Sequence, residues 1–400
     1  MVTEIEIDGF KSFKATGIYR SMKMQMVDLK GQYMKIKQEV DAAIQEVVDS
    51  AAFINGPAVQ EFAQNLSNYM GGCHIITCAN GTDALQIALM TLGLKPGDEV
   101  IVPAFTFVAS AEVIGLLGLT PVMVDVDYET FNVTVDNIKK GLTEKTKAII
   151  PVHLFGQSCD MEPIMAFAQE HGLYVVEDNA QALGAVYTFS DGSQGKTGTM
   201  GTIGCTSFFP SKNLGCYGDG GAIFCNDDYL AEKLRMIANH GQKVKYHHSI
   251  IGCNSRLDSV QAAVLNIKLS HLDEYGQARG EAACYYTEKL KDFDPQQNLL
   301  VTPKELEKST HVYHQYTIKV KNGRRDALKQ YLAGKGIPSM IYYPLPLQEQ
   351  EAFKPIARAA EELIVAKELA NSVLSLPIHT EMTRKMQDMV IESVIDFYKQ

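Results

Sequence analysis

The chain has 400 residues, 46% of them hydrophobic and 21% charged, which is enough to bury a large core; one large domain plus one smaller one is expected. A formal net charge of -10 argues against nucleic acid or an anionic membrane surface as a partner. The eight cysteines form no Cys-x-x-Cys pair and no secreted framework, so they read as reduced thiols of a cytoplasmic protein.

In chain order, Met1 to Asp8 is acidic and alternating, with no basic n-region and no continuous apolar run, so no signal peptide is read and a cytoplasmic location is expected. Residues 1–25 read as an N-terminal extension, 26–274 as an N-terminal segment and large domain, and 275–400 as a small C-terminal domain. Ile36, Val40, Ile44, Val47 and Val48 share one face at helical spacing and predict a first helix. Asn80-Gly81-Thr82-Asp83 precedes an apolar run at helical spacing and reads as a helix start whose free amides, with the Thr82 hydroxyl, could hold a phosphate. Glu99-Val100-Ile101-Val102 predicts a strand cut at Pro103, which turns the chain into Phe105-Thr106-Phe107. Val122 to Val126 and Ala148 to Val152 follow the same plan, and repeated strand and helix units imply a mainly parallel sheet covered on both faces, an α/β fold. The longest apolar stretch, Val113 to Val124, is too short to span a bilayer.

Two further segments carry chemistry. Tyr174 to Gln181 is a short apolar run that delivers Asp178 to the carboxyl end of a buried strand, the edge where ligands of open α/β sheets collect. A carboxylate there can keep a pyridine nitrogen protonated, which pyridoxal phosphate requires. Phe208-Phe209-Pro210-Ser211-Lys212-Asn213, followed by Gly215, Gly218, Gly220 and Gly221, places a lysine among apolar groups, where desolvation lowers its pKa and frees a nucleophilic amine. Each segment also has an ordinary reading: a capped helix, a strand-end N-cap, a snorkelling surface lysine. It is their succession along one chain that points to a single site. Cys216 near Lys212 is expected to pack as a small apolar group, the glycines to allow close approach of backbone to the cofactor, and His247-His248, lacking acid or cysteine at ligand spacing, to bind no metal. Ser259 to Asp273 predicts one long helix.

With these motifs, Pro103-Ala104-Phe105-Thr106-Phe107 and Asn254-Ser255-Arg256-Leu257-Asp258, the chain from about Met26 onward resembles the fold-type I, pyridoxal-phosphate-dependent nucleotide-sugar aminotransferases of the DegT/StrS type. The resemblance implies a large sheet sandwiched by helices with a smaller C-terminal α+β domain. It implies Lys212 as the Schiff-base lysine, Asp178 as partner of the ring nitrogen, Phe107 stacked on the ring, Gly81, Thr82 and Ser207 at the phosphate, and Gln181 near the ring hydroxyl. Asn254 would reach the phosphate of a neighbouring subunit's cofactor, so a homodimer with shared active sites is implied, and Arg256 in the same loop would meet a sugar carboxylate.

Gly215 to Gly221, His240-Gly241-Gln242 and Tyr246-His247-His248 look closest to a subgroup that transfers an amino group from L-glutamate to C3 of UDP-2-acetamido-3-keto-glucuronic acid, a precursor of surface polysaccharide. One departure is that Tyr342-Tyr343-Pro344 stands where close relatives have His-Tyr-Pro; both tyrosines are taken as substrate-side residues, but Tyr342 cannot carry the positive charge of an imidazole. Two alternatives stay open: a dTDP-linked 3- or 4-keto-6-deoxyhexose as substrate, and a cofactor-binding regulatory homologue without turnover. A related dehydratase group has histidine at the Schiff-base position, and Lys212 argues against it.

Overall fold

The computed structural model describes residues 24–400; apart from Met24 and Gln25, the extension read over residues 1–25 lies outside the described residues. Eight strands form the main sheet in the order 74–78, 221–225, 203–207, 174–178, 146–149, 99–103, 120–124 and 358–359. All neighbours in it run parallel except that Gly221–Cys225 is antiparallel to both of its partners, His74–Cys78 and Ile203–Ser207. The expected mainly parallel sheet is therefore present. Its central strands are buried on both faces, Glu99–Pro103 along its whole length and Tyr174–Asp178 beyond its first residue, which is why they read as continuous apolar runs rather than alternating ones.

Apolar clusters lie on both sides of this sheet. One joins the Gly81–Leu92 and Ala109–Leu116 helices to Val100, Val102 and Val176; the other sets Ile101, Val122 and Val175 against Ile164 and Phe167 of the Met161–His171 helix. Alternation along the strand, Val175 to one side and Val176 to the other, produces the two layers. A third cluster builds a separate core around the antiparallel strands Leu300–Val301, Tyr316–Val320 and Val373–Leu376, covered by the Leu272–Phe293, Arg325–Gly334 and Arg384–Lys399 helices, and Met24 packs into it.

Several local expectations shift. The first helix spans Leu29–Ser50 and buries Ile36, Val40 and Val47, while Val48 is exposed. The long helix expected over 259–273 is two helices, Ser259–Leu269 and Leu272–Phe293, broken at Ser270 and His271. Apolar periodicity continues across the break because Leu269 and Leu272 are both buried, so the pattern could not reveal it. Among the described residues no helix is long and apolar enough to cross a membrane.

Candidate active site

The carboxyl ends of the parallel strands open into a cavity of about 650 Å3. Gly81, Thr82, Phe107, Asp178, Gln181, Ser207, Lys212, Tyr342 and Tyr343 all line it; Asn254 and Arg256 do not. Nine of the residues read from the sequence thus come together within one chain, and two stay outside its cavity.

One end of the cavity is the start of the Gly81–Leu92 helix. Asn80 caps it, its side chain accepting from the Asp83 amide at 2.8 Å, and the Gly81 and Thr82 amides have no carbonyl four residues back within the helix to bond. Those amides and the positive end of the helix dipole suit a phosphate. Ser207, at the end of its strand, closes against this turn so tightly that a β-carbon on Gly81 would lie 2.7 Å from the Ser207 Cβ. Gly81→Ala is therefore expected to push the turn away from Ser207 and weaken cofactor binding about 10- to 100-fold, read by titrating the apo-protein with pyridoxal phosphate. The later glycines do not face the cavity as expected: a β-carbon on Gly221 would meet the Asn80 carbonyl carbon at 2.5 Å, and one on Gly215 would collide with the Pro210 carbonyl oxygen. They let the lysine loop pack on its own chain.

Asp178 ends its strand 6% exposed, with Ser110 Oγ donating to Oδ2 at 2.7 Å and the Ala180 amide to Oδ1 at 3.1 Å. Behind it, the wholly buried Glu177 accepts from the amides of Gly198, Met200 and Gly201 and pairs with His153 Nε2 at 2.8 Å. The His153 Nδ1 accepts the Cys159 amide, so Nε2 carries the proton that goes to Glu177. Adjacent carboxylates thus point to opposite faces of one strand; Glu177 anchors the sheet and Asp178 serves the cavity.

Lys212 is half-buried as a whole, but the protein packed around its amine pushes its pKa down to about 8; desolvation is the cause, and the charge of Asp178 opposes it. A lowered lysine pKa means that more free amine is present at any pH below it. At pH 7.5 roughly a quarter of the Lys212 amine is uncharged, against about one part in a thousand for a lysine at 10.5. Amine modification of the apo-protein, followed by peptide mapping against pH, is expected to show Lys212 reacting with a midpoint near 8 while exposed lysines rise only above 10. The loop is held from below by Lys268, 1% exposed, whose Nζ donates to the Gly215 carbonyl at 2.5 Å. Cys216 is buried with its Sγ on the Phe208 and Gly218 carbonyls, and burial pushes its thiol up to about 11, so it packs rather than reacts.

Phe107 is 53% exposed at the cavity mouth, its ring 6.1 Å from that of Tyr343. Gln181 is oriented from both ends: Oε1 accepts the Phe155 amide at 2.7 Å and Nε2 donates to the Tyr343 hydroxyl at 3.2 Å. Burial pushes the Tyr343 phenol well up, so it stays a protonated hydroxyl. Tyr342 is half-buried beside it.

The Asn254–Arg256 loop is tied to the start of the Gly81–Leu92 helix. Ser255 Oγ accepts the Ala79 amide at 3.0 Å and donates to Asp83 at 2.6 Å, which leaves Asn254 exposed and Arg256 half-buried on the outer surface. Sequence reasoning missed Ser110, Thr106, Asp219, His314 and Gln315, of which all but Ser110 line the cavity. Thr106 lay within a motif already singled out; His314 and Gln315 enter from a strand start far along the chain, and only tertiary structure brings them here.

Pyridoxal phosphate fits these residues: an anion-binding helix end closed by Ser207, a buried carboxylate with both oxygens hydrogen-bonded, and a desolvated amine in the same cavity. Comparison with known proteins agrees. A model of the DegT/DnrJ/EryC1/StrS aminotransferase family matches residues 34–395. The chain is 46% identical over 379 residues to a pleiotropic regulatory protein of Geobacillus stearothermophilus, covering 94% of this chain and 99% of that one. It is 45% identical over 357 residues to the UDP-2-acetamido-2-deoxy-3-oxo-D-glucuronate aminotransferase of Pseudomonas aeruginosa (89% and 95% covered), and 39% identical over 374 residues to the dTDP-3-amino-3,4,6-trideoxy-alpha-D-glucose transaminase of Streptomyces venezuelae (93% and 95%). The crystal structure of a DegT DnrJ EryC1 StrS aminotransferase from Brucella abortus superposes with a TM-score of 0.87 at 42% identity, covering 94% of this chain and 100% of that one. The chain belongs to the DegT/DnrJ/EryC1/StrS aminotransferase family, enzymes that use pyridoxal phosphate to aminate sugars.

Proposed function

We propose that this protein transfers the amino group of L-glutamate to a keto nucleotide-sugar, and that the sugar is UDP-2-acetamido-2-deoxy-3-oxo-glucuronate, an intermediate on the way to polysaccharide or O-antigen. The observation that carries the transaminase reading is Lys212, its amine desolvated and facing the same cavity as Asp178. The uronate rests on the 45% identity to an enzyme named for that substrate.

When bound, pyridoxal phosphate supplies a carbonyl carbon that accepts the amino group and a ring that spreads the electron pair left by proton removal. The chain does the rest. The helix end at Gly81 and Thr82, with Ser207, would hold the phosphate; Asp178, oriented by Ser110, would keep the ring nitrogen protonated; Gln181, bonded to Tyr343, would hold one edge of the ring, and Phe107 would cover its face. Lys212 Nζ, as the free amine, takes the proton from the carbon of glutamate that bears the amino group, and later returns a proton to the sugar carbon that becomes aminated. One lysine serves both halves, in the cytoplasm and without nucleic acid or membrane as a partner.

Among the described residues Lys212 is the one lysine or arginine lining the cavity, so a uronate carboxylate has no guanidinium to meet within a single chain. The reading therefore requires a homodimer in which a second copy brings Asn254 and Arg256 to the cavity mouth. Asn254 is exposed and Arg256 half-buried, and Arg256 has no acidic partner among the described residues. Arg256→Met is expected to cut kcat/KM for the uronate about 100-fold while leaving the glutamate half-reaction within about threefold. A dTDP-6-deoxyhexose, lacking the carboxylate, is the competing substrate suggested by the 39% identical relative. Faster turnover of the dTDP-linked sugar, insensitive to Arg256→Met, would favour that substrate over the uronate.

A further inference from the structure

His314 lies two residues before the Tyr316–Val320 strand, 4% exposed, and lines the same cavity as Lys212. Its segment is locked in place on the lysine side. The Asn213 side chain, next to Lys212, donates to the Val312 carbonyl at 2.8 Å, and Gly156, at φ +117°, approaches so closely that a β-carbon there would lie 2.9 Å from the His314 amide nitrogen. The position of this ring relative to the lysine is therefore built, not incidental.

The two ring nitrogens differ. Nδ1 is shut off from solvent and has no hydrogen-bond partner in the chain, whereas Nε2 is not shut off, and the cavity is the open space the residue borders. Arg279, 3% exposed, fixes the backbone behind the ring: its NH1 donates to the Tyr313 and His314 carbonyls at 3.1 and 3.4 Å and to the Ile378 carbonyl at 3.1 Å. Nε2 is therefore the ring nitrogen that can meet a molecule bound in the cavity.

We propose that His314 donates a hydrogen bond through Nε2 to the substrate oxygen next to the reacting carbon: the α-carboxylate of the amino donor, and a ring substituent of the sugar. The inference rests on the aminotransferase reading and deepens it by naming a residue that positions substrate against Lys212. The electrostatics agree. Burial first, and the neighbouring Lys212 and Arg279 charges after it, hold the His314 ring well below the usual imidazole range, so it offers a donor without adding a second cation beside the amine.

The test uses full-length, cofactor-loaded protein with His314→Gln, which keeps an N–H at similar reach, and His314→Phe, which keeps the ring volume and removes the donor. The expected result is a fall of about 10- to 100-fold in kcat/KM for glutamate in H314F, recovered to within about tenfold of wild type in H314Q, with the visible absorbance of the bound cofactor unchanged in both. In the apo-proteins the pH midpoint of Lys212 modification is expected to stay where wild type puts it, because a neutral ring carries no charge to lose. Wild-type kcat/KM in H314F, or a midpoint moved by a full pH unit, overturns the proposal. Should the variants fail to fold, nitrogen-15 histidine spectra of the unmodified protein decide: a neutral ring protonated on Nε2 supports it, and an Nδ1–H tautomer or an imidazolium between pH 7 and 8 overturns it. A wild-type protein that never consumes glutamate defeats the aminotransferase reading instead, and the spectra still report the tautomer.

Discussion

Lys212→Ala is expected to lower glutamate-dependent formation of 2-oxoglutarate by on the order of 10^4-fold while the protein still binds pyridoxal phosphate. The expectation follows from where the two functions reside. On the proposed roles, affinity for the cofactor would be spread over the helix end at Gly81 and Thr82, over Ser207 and over Asp178, none of which the substitution changes. Proton transfer at the substrate carbon is assigned to Lys212, because it is the one cavity lysine among the described residues and the tyrosines beside it are held protonated by burial. Both half-reactions should fail together, which single-turnover assays with glutamate and with the keto-sugar can separate. Turnover within tenfold of wild type would remove Lys212 from the mechanism.

Asp178→Asn is expected to cost about 10^3-fold in kcat with a much smaller change in cofactor affinity. An amide is nearly the same size as the carboxylate, so Ser110 Oγ and the Ala180 amide keep a neighbour of the right shape, but the negative charge proposed to keep the ring nitrogen protonated is gone. Single-turnover rates with glutamate, with the affinity for pyridoxal phosphate measured alongside, give the split. A fall confined to cofactor binding would make Asp178 a docking residue only. Because the aspartate also raises the Lys212 amine from where burial alone would leave it, the same variant should move the Lys212 modification midpoint below 8.

What the sequence made legible was local. The Asn80 cap, the strand that delivers Asp178 and the apolar setting of Lys212 each depend on a few neighbours in the chain, and all three were found where the motifs placed them. The mainly parallel sheet was legible for the same reason, since strands buried on both faces leave continuous apolar runs. What was not legible depended on residues far apart. Ser110 reaches Asp178 across 68 positions, and His314 joins Lys212 only because the chain leading into the Tyr316–Val320 strand passes the cavity wall. The glycines after Lys212 looked like a cofactor approach because sequence shows flexibility without direction; the structure turns them toward Asn80 and Pro210. The break between Leu269 and Leu272 escaped because both residues are buried and keep the period intact.

The most direct measurement is the absorbance spectrum of the purified, pyridoxal-phosphate-loaded protein before and after L-glutamate, with 2-oxoglutarate assayed in the same tube. The account predicts that the yellow colour of the loaded protein is lost on adding glutamate, with 2-oxoglutarate formed in matching amount, and that UDP-2-acetamido-2-deoxy-3-oxo-glucuronate restores the colour better than a dTDP-linked keto-sugar. A protein that stays yellow and forms no 2-oxoglutarate would contradict glutamate-driven transamination and leave a cofactor-binding regulatory role standing, and one that never turns yellow would contradict the assignment of Lys212 itself.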